Sequence, residues 1–452
     1  MLGYNAWTER AWHRRIYGTA VGIGALAAVV GCSASAAQAA GHVSAAKPYA
    51  GQTIVVDYYS PPPGKALLAE FKLETGITVH WNQFSFDELQ TKIQTAMSAK
   101  VNFADVTDLG LLRMGLFTKA KWYTPLQKYI TPKILFQQVP LAKGWIVNGN
   151  LVGVPVDGQV AATTINMAML KKAGINTPPK TFAQFTADLE TVQKRGVSAH
   201  PLDIPFAASE GLSTQWYSYT MAMGGNVLHP NDSPAFTSPS SAGYKAFAWM
   251  VNAFKSGLVP PQNINYTDIQ SQQEEMAHGV TVANLADYSD NVDSIYDDKS
   301  LSTVVGQIHY IPTPGVHGPA HNEEFPDGMV VPSTSKHPGA AAAFIKFLVS
   351  AKPNADINGL DGSSKAISGW SGPPSNTASM SLLKAAGKLP QATALKQQLA
   401  SASPAFPQGS PDWYPQFAAA VYQQLREAAQ GQESVAAAIN SLAGTVQSLR
   451  NS

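Results

Sequence analysis

Residues 52–108 alternate short β-rich runs with amphipathic stretches, and that order restricts the fold more tightly than anything else in the chain. The run QTIVVDY at 52–58 is short and rich in β-branched residues, which predicts a strand. Pro61, Pro62, Pro63 and Gly64 break it. Residues 65–74 then set Leu67, Leu68 and Phe71 on one helical face. Gly76 ends that helix, and ITVHW at 77–81 reads as a second strand. The helical spacing returns over 86–99 through Leu89, Ile93, Ala96 and Met97, and Ala104-Asp105-Val106 opens a third strand. Strand–helix–strand–helix–strand needs crossover connections, and crossovers build a largely parallel sheet covered by helices. The expected fold class is α/β.

The alternation continues down the chain. Residues 148–165 read as strand-like around Gly153-Val154-Pro155. A helix is expected at 166–173, stopped by Gly174, and another at 182–195, entered through Pro178-Pro179-Lys180-Thr181. Further helices are expected at 240–256, at 340–350 and from 414 to about 450. Strands are expected at 280–285, 309–314 and 329–332. With 452 residues, 45% of them apolar, the chain can bury the cores of two ordinary domains.

The first 49 residues are of another kind. Arg10, His13, Arg14 and Arg15 precede an uncharged stretch from 16 to 30, too short to span a bilayer as a helix. Val29-Val30-Gly31-Cys32 follows, with a branched apolar residue at −3, glycine at −1 and the chain's single cysteine at +1. This resembles the processing site of bacterial lipoproteins, with 1–31 as signal peptide and Cys32 as lipid attachment residue. Residues 32–49, rich in Ala, Ser and Gly, read as a flexible tether. The expected localisation is extracytoplasmic, with the lipid anchored to the outer face of the cytoplasmic membrane. The plainer alternative is an ordinary cleaved signal with Ala37-Gln38-Ala39 at the cut. A lone cysteine allows neither an internal disulfide nor a cysteine-based zinc site.

The charge balance is nearly even, 31 Lys and Arg against 30 Asp and Glu, so nothing supplies the basic field of a nucleic-acid partner. No phosphate-binding loop, zinc-protease helix or nucleophile elbow occurs. His317 and His321 with Glu323 could be read as metal ligands, but Gly318 and Pro319 between them suit an exposed loop. Glu323 and Glu324 are adjacent, and glycosidase carboxylates must flank a bond about 5–9.5 Å apart. No catalytic residue, cofactor or metal is therefore expected.

Several blocks, in order, resemble one family. AEFKLETGITV at 69–79, WYTPLQKYI at 122–130 and NGNLVGVPVDGQVAATTINMAMLKKAGINTPPKTFAQF at 148–185 lead the series. Met223-Gly224-Gly225, Gly257-Leu258-Val259-Pro260 and Pro312-Thr313-Pro314-Gly315 ahead of 329–349 complete it. Together they resemble family 1 extracellular solute-binding proteins of ABC importers, of the maltose-binding type. Where the family pairs Tyr with Asn this chain has Ile165-Asn166, and Phe182 stands for the family's Trp. The resemblance implies a two-lobe periplasmic-binding-protein-like fold of type II, with discontinuous lobes, a hinge and an interlobe ligand cleft. On that pattern one lobe takes 50–157 and 312–372, and the other 158–311 and 373–452. It also implies capture of a mono- or oligosaccharide and delivery to ABC permease subunits in the membrane. A polyamine, sugar phosphate or metal ligand on the same fold is the alternative, and a secreted carbohydrate-active enzyme a remote one.

Ligands of open α/β sheets sit beyond the carboxyl ends of strands. That rule selects Asp57, Tyr58, Tyr59 and Ser60, then Trp81 and Asn82, then Asp105, Thr107 and Asp108, then Asp157, and later Asp287 and Tyr288. Trp216 and Tyr217, the loop residues Glu323, Glu324 and Asp327, and Trp370 and Trp413 join them. Sugar sites need flat aromatic faces for the apolar side of a ring and carboxylates or amides for its hydroxyls. The candidate ligand-binding set is Tyr58, Tyr59, Trp81, Asp108, Asp157, Trp216, Tyr217, Tyr288, Asp327, Trp370 and Trp413. Beyond the tether the only arginines are Arg113, Arg195, Arg426 and Arg450, all in or beside expected helices. Arginine is the usual fork for phosphate and carboxylate, so a neutral sugar is favoured over a sugar phosphate.

Overall fold

A computed structural model describes residues 47–360 and 372–452. The expected signal peptide, Cys32, most of the tether and Trp370 lie outside the described residues.

The chain opens with β1 (Thr53–Tyr58), α1 (Lys65–Thr75), β2 (Thr78–Gln83), α2 (Phe86–Ser98) and β3 (Val106–Gly110). β1 pairs in parallel with both β2 and β3, as the crossover order requires. A short helix, α3 (Met114–Ala120), and a hairpin of β4 (Ile146–Val147) and β5 (Asn150–Leu151) lead to β6 (Val154–Pro155). β7 (Ala161–Asn166) then starts a second sheet with β8 (Ala283–Tyr288) and β9 (Ile308–Ile311), in the order β8-β7-β9. β10 (Asn322–Glu324) lies alongside β12 (Ala402–Pro404). β11 (Asp327–Val330) returns to the first sheet, which runs β2-β1-β3-β11-β6 with β11 antiparallel to β3 and β6.

Each sheet has its own core. Ile54, Val56, Val106, Leu109, Val330 and Phe344 pack together around the first. The second is enclosed by the helices Phe182–Lys194, Glu210–Ala222, Ala242–Lys255, Tyr414–Ala429 and Val435–Arg450. The third strand begins two residues later than expected, at Val106. Ala104 and Asp105 form its approach, with the Asp105 carboxylate accepting from Val55 N at 3.0 Å.

Among the described residues the chain passes between the sheets in three places. The first is 156–160, between β6 and β7. The second lies beyond β10, because Thr313 Oγ1 is 2.9 Å from Thr163 Oγ1 and β10 pairs with β12. Residues 312–324, expected in the first lobe, make these contacts with β7 and β12. The third is at 373–374, where Gly158 N donates to Pro373 O at 2.6 Å.

Candidate binding site

The parallel strands β1 and β3 end at one edge of the first sheet. β11 runs the other way, so its first residue reaches the same edge, with Asp327 opposite Gly110. This register brings together side chains far apart in sequence. Tyr58 is fully buried, and Tyr59 stacks on it with ring centroids 4.8 Å apart. The Tyr59 hydroxyl donates to Asp327 Oδ2 at 2.8 Å, and its ring meets Phe86 edge-on at 5.6 Å. Gln90 on α2 donates to Asp108 Oδ2 at 2.6 Å, while Asp108 Oδ1 is buried with no hydrogen-bond partner. The position of α2 is set by a capping box, Ser85 with Glu88, that ties down its first turn.

The second sheet faces this edge with its own groups. Tyr288 closes β8, donates its hydroxyl to Asp268, and meets Phe325 edge-on at 6.0 Å. Glu210 opens the helix Glu210–Ala222 and takes both Arg113 guanidinium nitrogens, Nη1 at 3.0 Å. The Tyr414 hydroxyl donates to Glu210 Oε1 at 2.6 Å. The Arg113 guanidinium lies over Phe86 at 5.0 Å and Tyr414 at 6.0 Å. Beside this pair is a cavity of about 310 Å³ lined by Gln90, Gln94, Trp122, Ser209 and Tyr422.

The electrostatics are those of crowded, buried carboxylates. Burial and then the charge of Asp327 hold the Asp108 carboxyl well above the usual range. Burial raises Asp327 to about 6, against the pull of the Tyr59 hydroxyl and of Arg113. Burial works against charge on Arg113, yet Glu210, Tyr414 and Asp108 together more than offset it and keep the guanidinium protonated. The arrangement can accept several hydrogen bonds from hydroxyls or amines, donate from one guanidinium, and present aromatic rings from both sides.

Of the sequence candidates, Tyr58, Tyr59, Asp108, Asp327 and Tyr288 come together here. Trp81 sits behind Tyr58, its indole donating to Ser60 O at 3.1 Å and its ring edge-on to Phe344. Asp57 points away, paired with Lys92 at 2.7 Å and Asn82 at 2.8 Å. Asp157 is a hinge residue: its Oδ1 accepts from Gln159 N at 3.1 Å and Asp327 N at 3.0 Å. Three aromatic candidates are core residues. Trp216 is wholly enclosed by Phe236, Phe247 and Phe417, and its indole donates to Gly243 O at 2.9 Å. Tyr217 stacks on Phe417, and Trp413 meets the same ring edge-on. Asp287 accepts from Thr164, Tyr296 and Asn291 inside the second lobe. Glu323 is buried against Ser218.

Arg113, Glu210, Asp268, Phe86, Phe325 and Tyr414 escaped the sequence reading. The scarcity of arginine could have pointed to the first of them. In a chain with so few, Arg426 is likewise engaged, donating to Phe206 O at 2.9 Å and Asn265 Oδ1 at 3.1 Å.

Comparison with known proteins bears on the family and the fold. A bacterial extracellular solute-binding protein family model matches residues 50–355. Binding proteins of Brucella abortus and Brucella suis are 24% identical over 202 residues, 43% of this chain and 47% of theirs. The matched region thus spans about half the length of those relatives. A ribitol complex of an ABC transporter solute-binding protein from Agrobacterium radiobacter K84 superposes with a TM-score of 0.77 at 19% identity, covering 89% of this chain and 100% of that one. Maltose-bound MalE3 of T. maritima gives 0.75 at 19% identity, covering 88% and 100%. A mannitol-bound counterpart from Agrobacterium vitis S4 gives 0.75 at 18%, covering 88% and 98%. These likenesses establish the two-lobe fold, and the family match over most of the chain establishes that it belongs to the bacterial extracellular solute-binding proteins.

Proposed function

We propose that the chain is an extracytoplasmic receptor that captures a sugar or polyol between its lobes and delivers it to an ABC permease. The observation that carries this is the meeting of Tyr59, Asp108 and Asp327 from one lobe with Tyr288 and Glu210 from the other. Aromatic rings beside buried acceptors suit a ring with apolar faces and hydroxyl edges. Tyr58 and Trp81 support the floor from behind. Asp108 Oδ1, buried without a partner, is an acceptor that a ligand hydroxyl would satisfy. The maltose, ribitol and mannitol complexes named above support the same class. The lobes are proposed as 50–157 with 326–372 and as 158–325 with 373–452, the second boundary following the pairing of β10 with β12.

Thermal melting of the full chain tests the reading, against maltose, chitin oligosaccharides, ribitol, mannitol, spermidine and glucose 6-phosphate. A ligand at 100 times its Kd stabilises by about 2.7 kcal/mol. The expected result is a shift with one neutral sugar or polyol that Tyr59→Ala and Asp327→Asn each remove. A shift only with spermidine or the phosphate would leave the family and overturn the ligand class.

Membrane attachment is proposed through a lipid on Cys32, after removal of residues 1–31. Two or more acyl chains anchor firmly because each buried CH₂ contributes about 0.8 kcal/mol. Cys32→Ser is expected to move the protein from the membrane fraction to the soluble one. Retention of the variant on the membrane would sink the idea.

A further inference from the structure

One short segment of the first lobe, residues 111–119, makes a series of contacts to the second lobe in which both partners are protein groups. Arg113 forms its two-point bond with Glu210, and the Tyr414 hydroxyl braces the same carboxylate. Gly115 N donates to Ser410 Oγ at 3.2 Å. A Cβ at position 115 would lie 2.0 Å from Ser410 O, so only glycine permits this approach. Lys119 Nζ lies 2.6 Å from Asp412 Oδ2. Leu112, next to Arg113, packs into the core of the second lobe.

These contacts differ in weight. The side chains of Lys119 and Asp412 are 69% and 32% exposed, where an ion pair is weak and screened by salt. Arg113 and Glu210 are 12% and 15% exposed and meet in the bidentate geometry that makes guanidinium–carboxylate pairs strong. Arg113 also interacts favourably with Asp108 and Asp327 on its own lobe. It is the cation that lets three carboxylates from two lobes approach one another.

We propose that Arg113 and Glu210 form an electrostatic latch that sets the balance between open and closed lobes. The latch rests on the two-lobe architecture but not on the identity of the ligand. It nonetheless tunes affinity, because apparent Kd equals the intrinsic value divided by the fraction of molecules in the binding-competent closed state. Loss of the latch is expected to raise apparent Kd by the factor by which it lowers that fraction.

Small-angle X-ray scattering of the full chain, with no ligand added, tests the latch apart from any sugar assignment. Arg113→Gln is expected to increase the radius of gyration and broaden the distance distribution, because Glu210 loses its two-point partner and is left facing Asp327 across the gap. Arg113→Gln with Glu210→Gln is expected to open less than Arg113→Gln alone, since one of the repelling charges has gone. Such non-additivity marks a coupled pair, which two independent surface changes would not produce. Gly115→Val is expected to open the lobes without altering any charge, with each variant's melting curve confirming that it remains folded. An unchanged radius in Arg113→Gln, or a double variant more open than Arg113→Gln, would overturn the latch. Failure of every sugar to bind, with the scattering as expected, would overturn the proposed ligand and leave the latch standing.

Discussion

Glu323 shows how one residue couples burial to pH. It lies on β10, fully buried, with Oε2 accepting from Ser218 Oγ at 2.6 Å and Oε1 without a hydrogen-bond partner. Burial pushes its carboxyl up to about 8. The folded protein therefore keeps a proton that the unfolded chain releases near 4.5. Stability from this residue is fully present below pH 4.5 and is lost as pH rises toward 8. Glu323→Gln keeps the shape and removes the titration. The variant is expected to match wild type near pH 4.5 and to exceed it near pH 9 by on the order of a few kcal/mol, read as diverging melting temperatures across a pH series. Parallel curves would show that Glu323 is not kept neutral by its surroundings. At this scale the sequence marked part of the site and missed part of it. Tyr59 follows β1 and Tyr288 closes β8, so a rule about strand ends finds them, whereas Asp108 lies inside β3. Asp327 was visible only as one of several loop acids, because its place depends on a strand that returns antiparallel to β3. Arg113 and Glu210 lie on helical turns, where local pattern cannot tell a cleft-facing charge from a solvated one.

Elements were more legible than residues, because their periodicity is local. β1, α1, β2 and α2 fall within a residue or two of the sequence reading, and their order alone requires the parallel pairing that is observed. The helix Glu210–Ala222 explains the misplaced aromatics. From Leu212 to Ala222 all but Thr214 are buried, so the helix has almost no solvent face. A helix buried on nearly every side belongs inside a domain. Trp216 and Tyr217 therefore fill the space between the helices Ala242–Lys255 and Tyr414–Ala429. They were candidates by residue type, but rings at consecutive positions point to different sides of a helix and cannot line one face. Hydrophobic spacing in the partner helices carries that information only once the packing partners are known. β10 and β12 were invisible for a different reason. They are three residues each, and their pairing joins segments about eighty residues apart.

For the whole molecule the controlling feature is the bundle of crossovers, and Asp157 is its fastener. Its carboxylate accepts from the backbone of Gln159 on one crossover and of Asp327 just past another. Val156 N donates to Asp327 O at 3.0 Å and Phe325 N to Gln159 O at 3.1 Å, so the two strands run side by side through the hinge. Gly372 at the third crossing has φ +85°, and a Cβ there would come within 3.1 Å of Gln159. The crossovers are thus tied to one another by backbone bonds and by the Asp157 side chain. Burial and the charge of Asp327 hold the Asp157 carboxyl well above the usual range, and hydrogen bonds to such a group contribute about 0.5–1.5 kcal/mol each. Removing the acceptor should loosen the hinge while leaving both cores packed. Asp157→Ala is therefore expected to speed hydrogen exchange at Gln159 and Asp327 by roughly tenfold or more, with β1 and β7 unchanged. Asp157→Asn, which keeps an acceptor oxygen, is expected to fall between the two. Protection at 325–328 equal to wild type in Asp157→Ala would assign Asp157 to the cleft instead, where loss of ligand binding without hinge loosening would be its mark.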